Sequence, residues 1–182
     1  MSEEETVKHL IKRLSRIDAS EGWTADLNPV QLSVLEYLSL ANHFSRKPSH
    51  VAEFLGSTRG TVSQTLKSLA SKAYVTETKS KLDKRSISYQ LTDLGQEALA
   101  SQKCLAGALG DIANQDLSSL AKILREVLEK AIEINGQRSF GICKNCSHFQ
   151  KREVGGHCAL LNVPLKPADT SKICAEQKPL VH

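Results

Sequence analysis

The stretch Ser49-His50-Val51-Ala52-Glu53-Phe54-Leu55-Gly56-Ser57-Thr58-Arg59-Gly60-Thr61-Val62-Ser63-Gln64-Thr65-Leu66-Lys67-Ser68-Leu69 decides the fold. Val51, Ala52, Phe54 and Leu55 sit at helical spacing, with Ser49 placed to cap them. Gly56 is a helix stop. Ser57 or Thr58 opens a second helix, whose inner face carries Val62, Leu66 and Leu69. Two helices joined by so tight a turn make a helix-turn-helix.

Outward from this pair, the pattern changes after Ala73 from helical to alternating. Residues 74–78 read as one strand and 87–91 as a second, with Ile87, Tyr89 and Leu91 on one face. The connection Lys79-Ser80-Lys81-Leu82-Asp83-Lys84-Arg85 is polar and basic, so the pair is a hairpin with a charged tip, a wing. Upstream, Asn28-Pro29 is a helix start, and that helix runs to about residue 44. Residues 3–17 form an earlier amphipathic helix with Val7, Leu10, Ile11, Leu14 and Ile17 on one side.

Downstream, Thr92 is positioned to cap a long helix reaching about residue 110. A last helix spans about 116–136, with Leu117, Leu120, Leu124, Val127, Ala131 and Ile134 stepping by threes and fours. So wide an apolar stripe on a terminal helix needs a partner, either the body or a second chain. The expected fold is mainly α with a small β-wing, an α+β winged helix-turn-helix with flanking dimerisation helices and a loop-rich cysteine lobe. The expected division is 1–136 for DNA binding and dimerisation, and 137–182 for the lobe.

The second helix of the pair presents Thr58, Arg59, Thr61, Ser63, Gln64 and Lys67 outward. Small polar groups, an amide and cations reach phosphates and base edges in a major groove. A merely solvated helix face would carry similar residues. The basic hairpin that follows favours DNA, because Lys81, Lys84 and Arg85 on a thin hairpin reach a minor groove. A charged tip that only blocks strand-edge pairing is the competing reading of the hairpin.

Residues 28–99 resemble the winged helix of the MarR family of bacterial transcription regulators. The resemblance rests on the helix pair quoted above, on Leu66-Lys67-Ser68-Leu69-Ala70-Ser71-Lys72-Ala73-Tyr74-Val75, on Asp83-Lys84-Arg85 and on Leu91-Thr92-Asp93-Leu94-Gly95. It implies a homodimer built from the N-terminal helix and the helices after the wing, and a pseudo-palindromic double-stranded DNA target. It also implies that Arg85 enters the minor groove and that Asp83 orients it. Ala73 departs from the pattern, which usually has glycine there. The resemblance does not extend to residues 137–182.

Composition sets the frame. The chain has 182 residues, 40% hydrophobic but only 4% aromatic, so its core must be aliphatic. The net charge of +4 permits nucleic-acid binding without arguing for it. No apolar run approaches the ~20 residues of a membrane helix, and the acidic N-terminus lacks a signal sequence, so a cytoplasmic location is expected.

Four of the five cysteines fall in the tail as C-x2-C-x11-C-x15-C: Cys143, Cys146, Cys158 and Cys174. In a reducing compartment this clustering favours metal ligation over disulfides, with free thiols or a reversible disulfide pair as the other possibility. Four thiolates are a full ligand set for one zinc ion or one iron–sulfur cluster. Only one C-x2-C pair is present, and widely spaced single cysteines favour an iron–sulfur cluster such as 4Fe–4S, with zinc as the alternative. The tail also weakly resembles small cluster-binding modules of glycyl-radical enzyme accessory subunits. His148 and His157 flank the ligands in supporting positions, and Cys104 reads as an apolar core residue. No open-site ligand set with a placed general base is present, so an enzyme is not expected.

The functional expectation is a DNA-binding transcription regulator whose cysteine lobe carries a cluster sensing redox, oxygen or iron status. A structural zinc lobe serving stability or protein interaction is the alternative.

Overall fold

The computed structural model describes residues 1–21, 23, 26–79, 87–100 and 104–179. Helices α1 (Glu3–Glu21), α2 (Pro29–Leu40), α3 (Pro48–Phe54) and α4 (Arg59–Ser71) precede a hairpin of β1 (Val75–Lys79) and β2 (Ile87–Leu91). Helices α5 (Asp93–Ala100), α6 (Cys104–Gly110) and α7 (Asn114–Ile134) follow. This is the mainly helical winged-helix architecture expected.

Helix α2 is central. Asn28 accepts a hydrogen bond from the Gln31 N–H at 2.9 Å, and the Gln31 side chain returns one to the Asn28 N–H at 3.1 Å, closing a capping box. Leu32, Val34, Leu35, Tyr37 and Leu38 are all buried, because α3, α4, α5 and β2 cover this helix from several sides. Val51, Val62, Leu66, Leu69, Val75 and Tyr89 complete the core. Pro48, not Ser49, stands at the start of α3, and its capping position Lys47 makes no side-chain hydrogen bond. Proline suits that place because the first helical N–H groups have no intrahelical partner.

One connection differs from expectation. Helix α2 ends at Leu40 rather than near 44: Ala41 turns extended (φ −75, ψ 141) and the Asn42 N–H donates to Ile173 O at 2.8 Å. A tail segment thus takes over the hydrogen bonding that a longer helix would have used. Of the long helix expected after Thr92, the described residues show α5 and α6, on either side of 101–103. The Thr92 cap itself holds, its hydroxyl accepting from the Gly95 N–H at 3.1 Å. Ala73 sits at φ +63, in the left-handed region that glycine favours.

The tail is more regular than a loop-rich reading implies. Strands β3 (Gly141–Ile142) and β7 (Ile173–Cys174) pair antiparallel. Strands β4 (Phe149–Lys151), β5 (Gly156–Cys158) and β6 (Val163–Leu165) form a three-stranded sheet, and α8 (Pro167–Thr170) precedes β7. Strands of two or three residues are too short to declare themselves by alternation. At Gly156 any side chain would collide with the Phe149 ring, which packs over the β5 backbone.

The tail docks on the winged helix rather than trailing from α7. Phe140 meets Phe54 edge-on with ring centroids 5.3 Å apart, and Phe54 lies 4.7 Å from Tyr37. Ile173 bridges Ala41. His43 meets the buried Asp169 at 3.0 Å. Helices α1 and α7, in contrast, bury nothing within one chain. Leu10, Leu14, Leu124, Val127 and Leu128 all stand exposed. Among the described residues no helix is long and apolar enough to cross a membrane.

Candidate nucleic-acid interface and four-cysteine centre

Helix α4 separates its residues by face. Val62, Leu66 and Leu69 point inward, while Thr58, Arg59, Thr61, Gln64 and Lys67 are exposed and Ser63 is half-buried. Thr58 is not a free contact: its hydroxyl caps the helix, accepting from the Thr61 N–H at 3.1 Å, and lies 2.9 Å from the Thr61 hydroxyl. Arg59, Gln64 and Lys67 are the long polar side chains this surface offers a groove. Lys81, Asp83, Lys84 and Arg85 lie outside the described residues. The strands that carry them are in register from Val75↔Leu91 to Lys79↔Ile87.

The sequence did not reveal that Arg59 has an acidic neighbour. Its guanidinium lies 4.0 Å from Glu53 on α3, and the other Glu53 oxygen lies 3.6 Å from Arg138 of the segment entering the lobe. Arg138 also reaches Glu176 at 3.3 Å, two residues beyond Cys174. Burial holds the His50 imidazole below its ordinary pKa, against the opposing pull of Glu176 3.9 Å away. Only the short spacing from Glu53 to Arg59 was legible beforehand.

Three of the four tail cysteines, Cys143, Cys158 and Cys174, belong to one buried cluster. Cys143 opens a 3-10 turn, and the Cys146 N–H returns to Cys143 O at 3.1 Å. Cys158 lies on β5 opposite Phe149, and Cys174 on β7 opposite Gly141. All four are buried, none is in a disulfide, and Phe44, Phe149, Val163 and Leu165 pack about Cys143, Cys158 and Cys174. Burial, and then the neighbouring Cys174, Cys158 and Cys146, push the Cys143 thiol up to about 12.

Among the described residues, no three His, Cys, Asp or Glu side chains form a ready metal-binding group. The donor chemistry nevertheless fits a metal. Four thiols share one buried lobe, and a bound cation would offset the charge of the thiolates that hold it. The Lys178 N–H donates to the Cys146 sulfur at 3.4 Å, a contact that stabilises a thiolate. His157 alternates to the face opposite Cys158 on β5. One ring nitrogen of His157 and one of His148 are buried without a hydrogen-bond partner. Cys104 is exposed, contrary to the core role expected. It begins α6, and its N–H donates to the Glu21 carboxylate at 3.0 Å. Helical spacing shows which residues share a face, not whether the chain covers that face.

The model of the MarR family matches residues 25–86, a span that begins just before α2 and ends just short of β2. No curated protein matches the chain. Among solved structures, a MarR transcriptional regulator from Methanosarcina mazei Go1 is 17% identical with a TM-score of 0.58, covering 71% of this chain and 99% of that one. The PcaV transcriptional regulator of Streptomyces coelicolor, in complex with its natural ligand, is 19% identical with a TM-score of 0.51, covering 68% of this chain and 92% of its own. BpsR of Bordetella bronchiseptica, whose DNA binding is regulated by 6-hydroxynicotinic acid, is 16% identical with a TM-score of 0.50, covering 67% and 98%. These likenesses establish the winged-helix fold, and each leaves more than a quarter of this chain without a counterpart.

Proposed function

We propose that the protein is a dimeric, DNA-binding transcription regulator of the MarR type, acting in the cytoplasm, whose tail holds an iron–sulfur cluster through Cys143, Cys146, Cys158 and Cys174. The DNA reading is supported by the family match over the helix-turn-helix and the first strand of the hairpin, and by the exposed Arg59, Gln64 and Lys67 on α4. In this reading α4 enters a major groove, where Arg59 and Lys67 meet phosphates or base edges and Gln64 suits adenine. The wing residues Lys81, Lys84 and Arg85 would reach the flanking minor groove, with Asp83 orienting Arg85. The exposed apolar faces of α1 and α7 are the natural seam of a homodimer, which would read a pseudo-palindromic operator with its two copies of α4.

The single observation that carries the sensing role is the docking of the cysteine lobe on the α2–α3 connection, with Phe44 of that connection packed against the cysteines. A change at the thiols is therefore delivered to the helix-turn-helix itself. A bound cluster would supply one-electron redox chemistry and sensitivity to oxygen. The chain's own residues do the rest. The four thiols supply the ligands, the Lys178 N–H supports one sulfur, and Phe44, Phe149, Val163 and Leu165 exclude water.

Purification of the full chain without oxygen tests the assignment. Iron and acid-labile sulfide in stoichiometric amount support it. A colourless protein with one zinc per chain replaces it with a structural zinc lobe, and a metal-free folded protein refutes both.

A further inference from the structure

We infer that Arg138 is a positioning residue for Arg59: by meeting Glu53 on its far side, it keeps that carboxylate from sequestering the guanidinium that reaches DNA. The inference rests on the proposed role of Arg59 at the groove.

The geometry forms a chain of alternating charge from the lobe to the recognition helix. Glu176 lies 3.3 Å from Arg138, Arg138 lies 3.6 Å from Glu53 Oε2, and Glu53 Oε1 lies 4.0 Å from Arg59. Glu53 Oε2 is shielded from water and has no hydrogen-bond partner, so Arg138 supplies its compensating charge. A buried carboxylate oxygen deprived of its cation seeks another, and Arg59, on the sister oxygen, is the nearest. Arg59 itself is largely exposed and opens α4, where the helix dipole disfavours a cation. Glu53 stands in the last turn of α3, where the dipole disfavours an anion. Neither charge is placed to strengthen its own helix, which points to a role outside it. The lobe's entry segment also lies against the turn of the helix-turn-helix, since a side chain at Gly56 would come within 3.8 Å of Gln137. Undocking of the lobe therefore withdraws Arg138 and leaves Glu53 to compete with DNA phosphate for Arg59.

The test is the affinity of the full chain for a mixed-sequence double-stranded oligonucleotide across a salt series, with thermal unfolding of each variant alongside. Arg138→Ala is expected to weaken binding roughly three-fold per recognition helix, the scale of one partly exposed ion pair. Arg138→Lys is expected to retain most of the affinity. Glu53→Gln alone is expected to change binding little, because Arg138 already holds that carboxylate, and Arg138→Ala combined with Glu53→Gln is expected to bind like the parent. That rescue separates positioning from a structural effect of Arg138. Where Arg138→Ala fails to fold, Arg138→Gln takes its place, alone and combined with Glu53→Gln. Arg59→Ala is the control. Weakened binding by Arg59→Ala with no response to the Arg138 variant, or with no rescue of it by Glu53→Gln, overturns the inference while leaving the groove assignment standing. No response to Arg59→Ala overturns both.

Discussion

The backbone N–H of Ala175 donates a buried hydrogen bond of 2.9 Å to the hydroxyl of Ser45, 130 residues earlier in the chain. Ala175 directly follows Cys174, and Ser45 lies between α2 and α3. The Ser45 carbonyl in turn accepts from the Tyr37 hydroxyl at 2.7 Å. The last cysteine is thereby anchored, through one serine, to the central helix of the winged helix.

Ser45→Ala leaves a buried N–H without its acceptor. Unsatisfied buried donors cost about 1–3 kcal/mol. Denaturant unfolding of the variant is expected to show a loss of that size. Faster exchange of the Ala175 amide proton would localise the loss to the docking seam, and unchanged stability would mean that water or another group replaces Ser45.

Ala73→Gly is expected to stabilise the protein. Ala73 holds φ +63 at the exit of α4, and an alanine in the left-handed region is disfavoured by roughly 1 kcal/mol or more. Part of the gain is offset by the greater unfolded-state freedom of glycine. A rise in the unfolding midpoint by a few degrees, with DNA affinity unchanged, is the expected result.

Acid should loosen the seam at His50. Burial depresses its imidazole below the ordinary 6.5, with Lys47 and Arg138 adding to that effect and Glu176 and Glu53 opposing it. The folded state then binds fewer protons than the unfolded chain. The stability from this group is complete above pH 6.5 and is lost as pH falls through the lowered folded value. One ring nitrogen, Nδ1, is buried without a partner, so protonation has nothing to receive it. Unfolding free energy measured from pH 7.5 to 5 should fall less steeply for His50→Gln than for the parent. Identical slopes would remove His50 from the acid response.

Val127→Glu should disrupt dimerisation. Val127 sits exposed within the apolar stripe of α7, beside Leu124 and Leu128. A carboxylate buried there without a partner costs several kcal/mol, enough to separate protomers. Light scattering is expected to report a monomer with weakened DNA affinity. A dimer of unchanged stability would place the seam elsewhere.

The helix-turn-helix and wing were legible because local patterns specify them. Val62, Leu66 and Leu69 repeat at helical spacing, and Thr92 caps α5 as its position implies. The run of four cysteines in the tail was plain from spacing, but the place where the tail seats was not. The end of α2 at Leu40, the His43–Asp169 pair and the Ser45–Ala175 bond each join segments more than 120 residues apart, and no local pattern carries such contacts. Cys104 was misread because a helical stripe does not reveal which face the fold covers. The acidic neighbour of Arg59 lay only a few residues away, yet its second partner, Arg138, enters from the tail.

The most direct test of the proposed cysteine centre and its control of DNA reading is the DNA affinity of one anaerobic preparation before and after chelation of the metal proposed there, followed by fluorescence anisotropy on the same duplex. Coupling between two sites in one protein is typically worth about 1–3 kcal/mol, so affinity is expected to fall roughly ten-fold or more on removal, and Cys143→Ser to match the depleted state. Equal affinities before and after, with the metal shown to be gone, would contradict a sensing role and leave the lobe as a structural appendage.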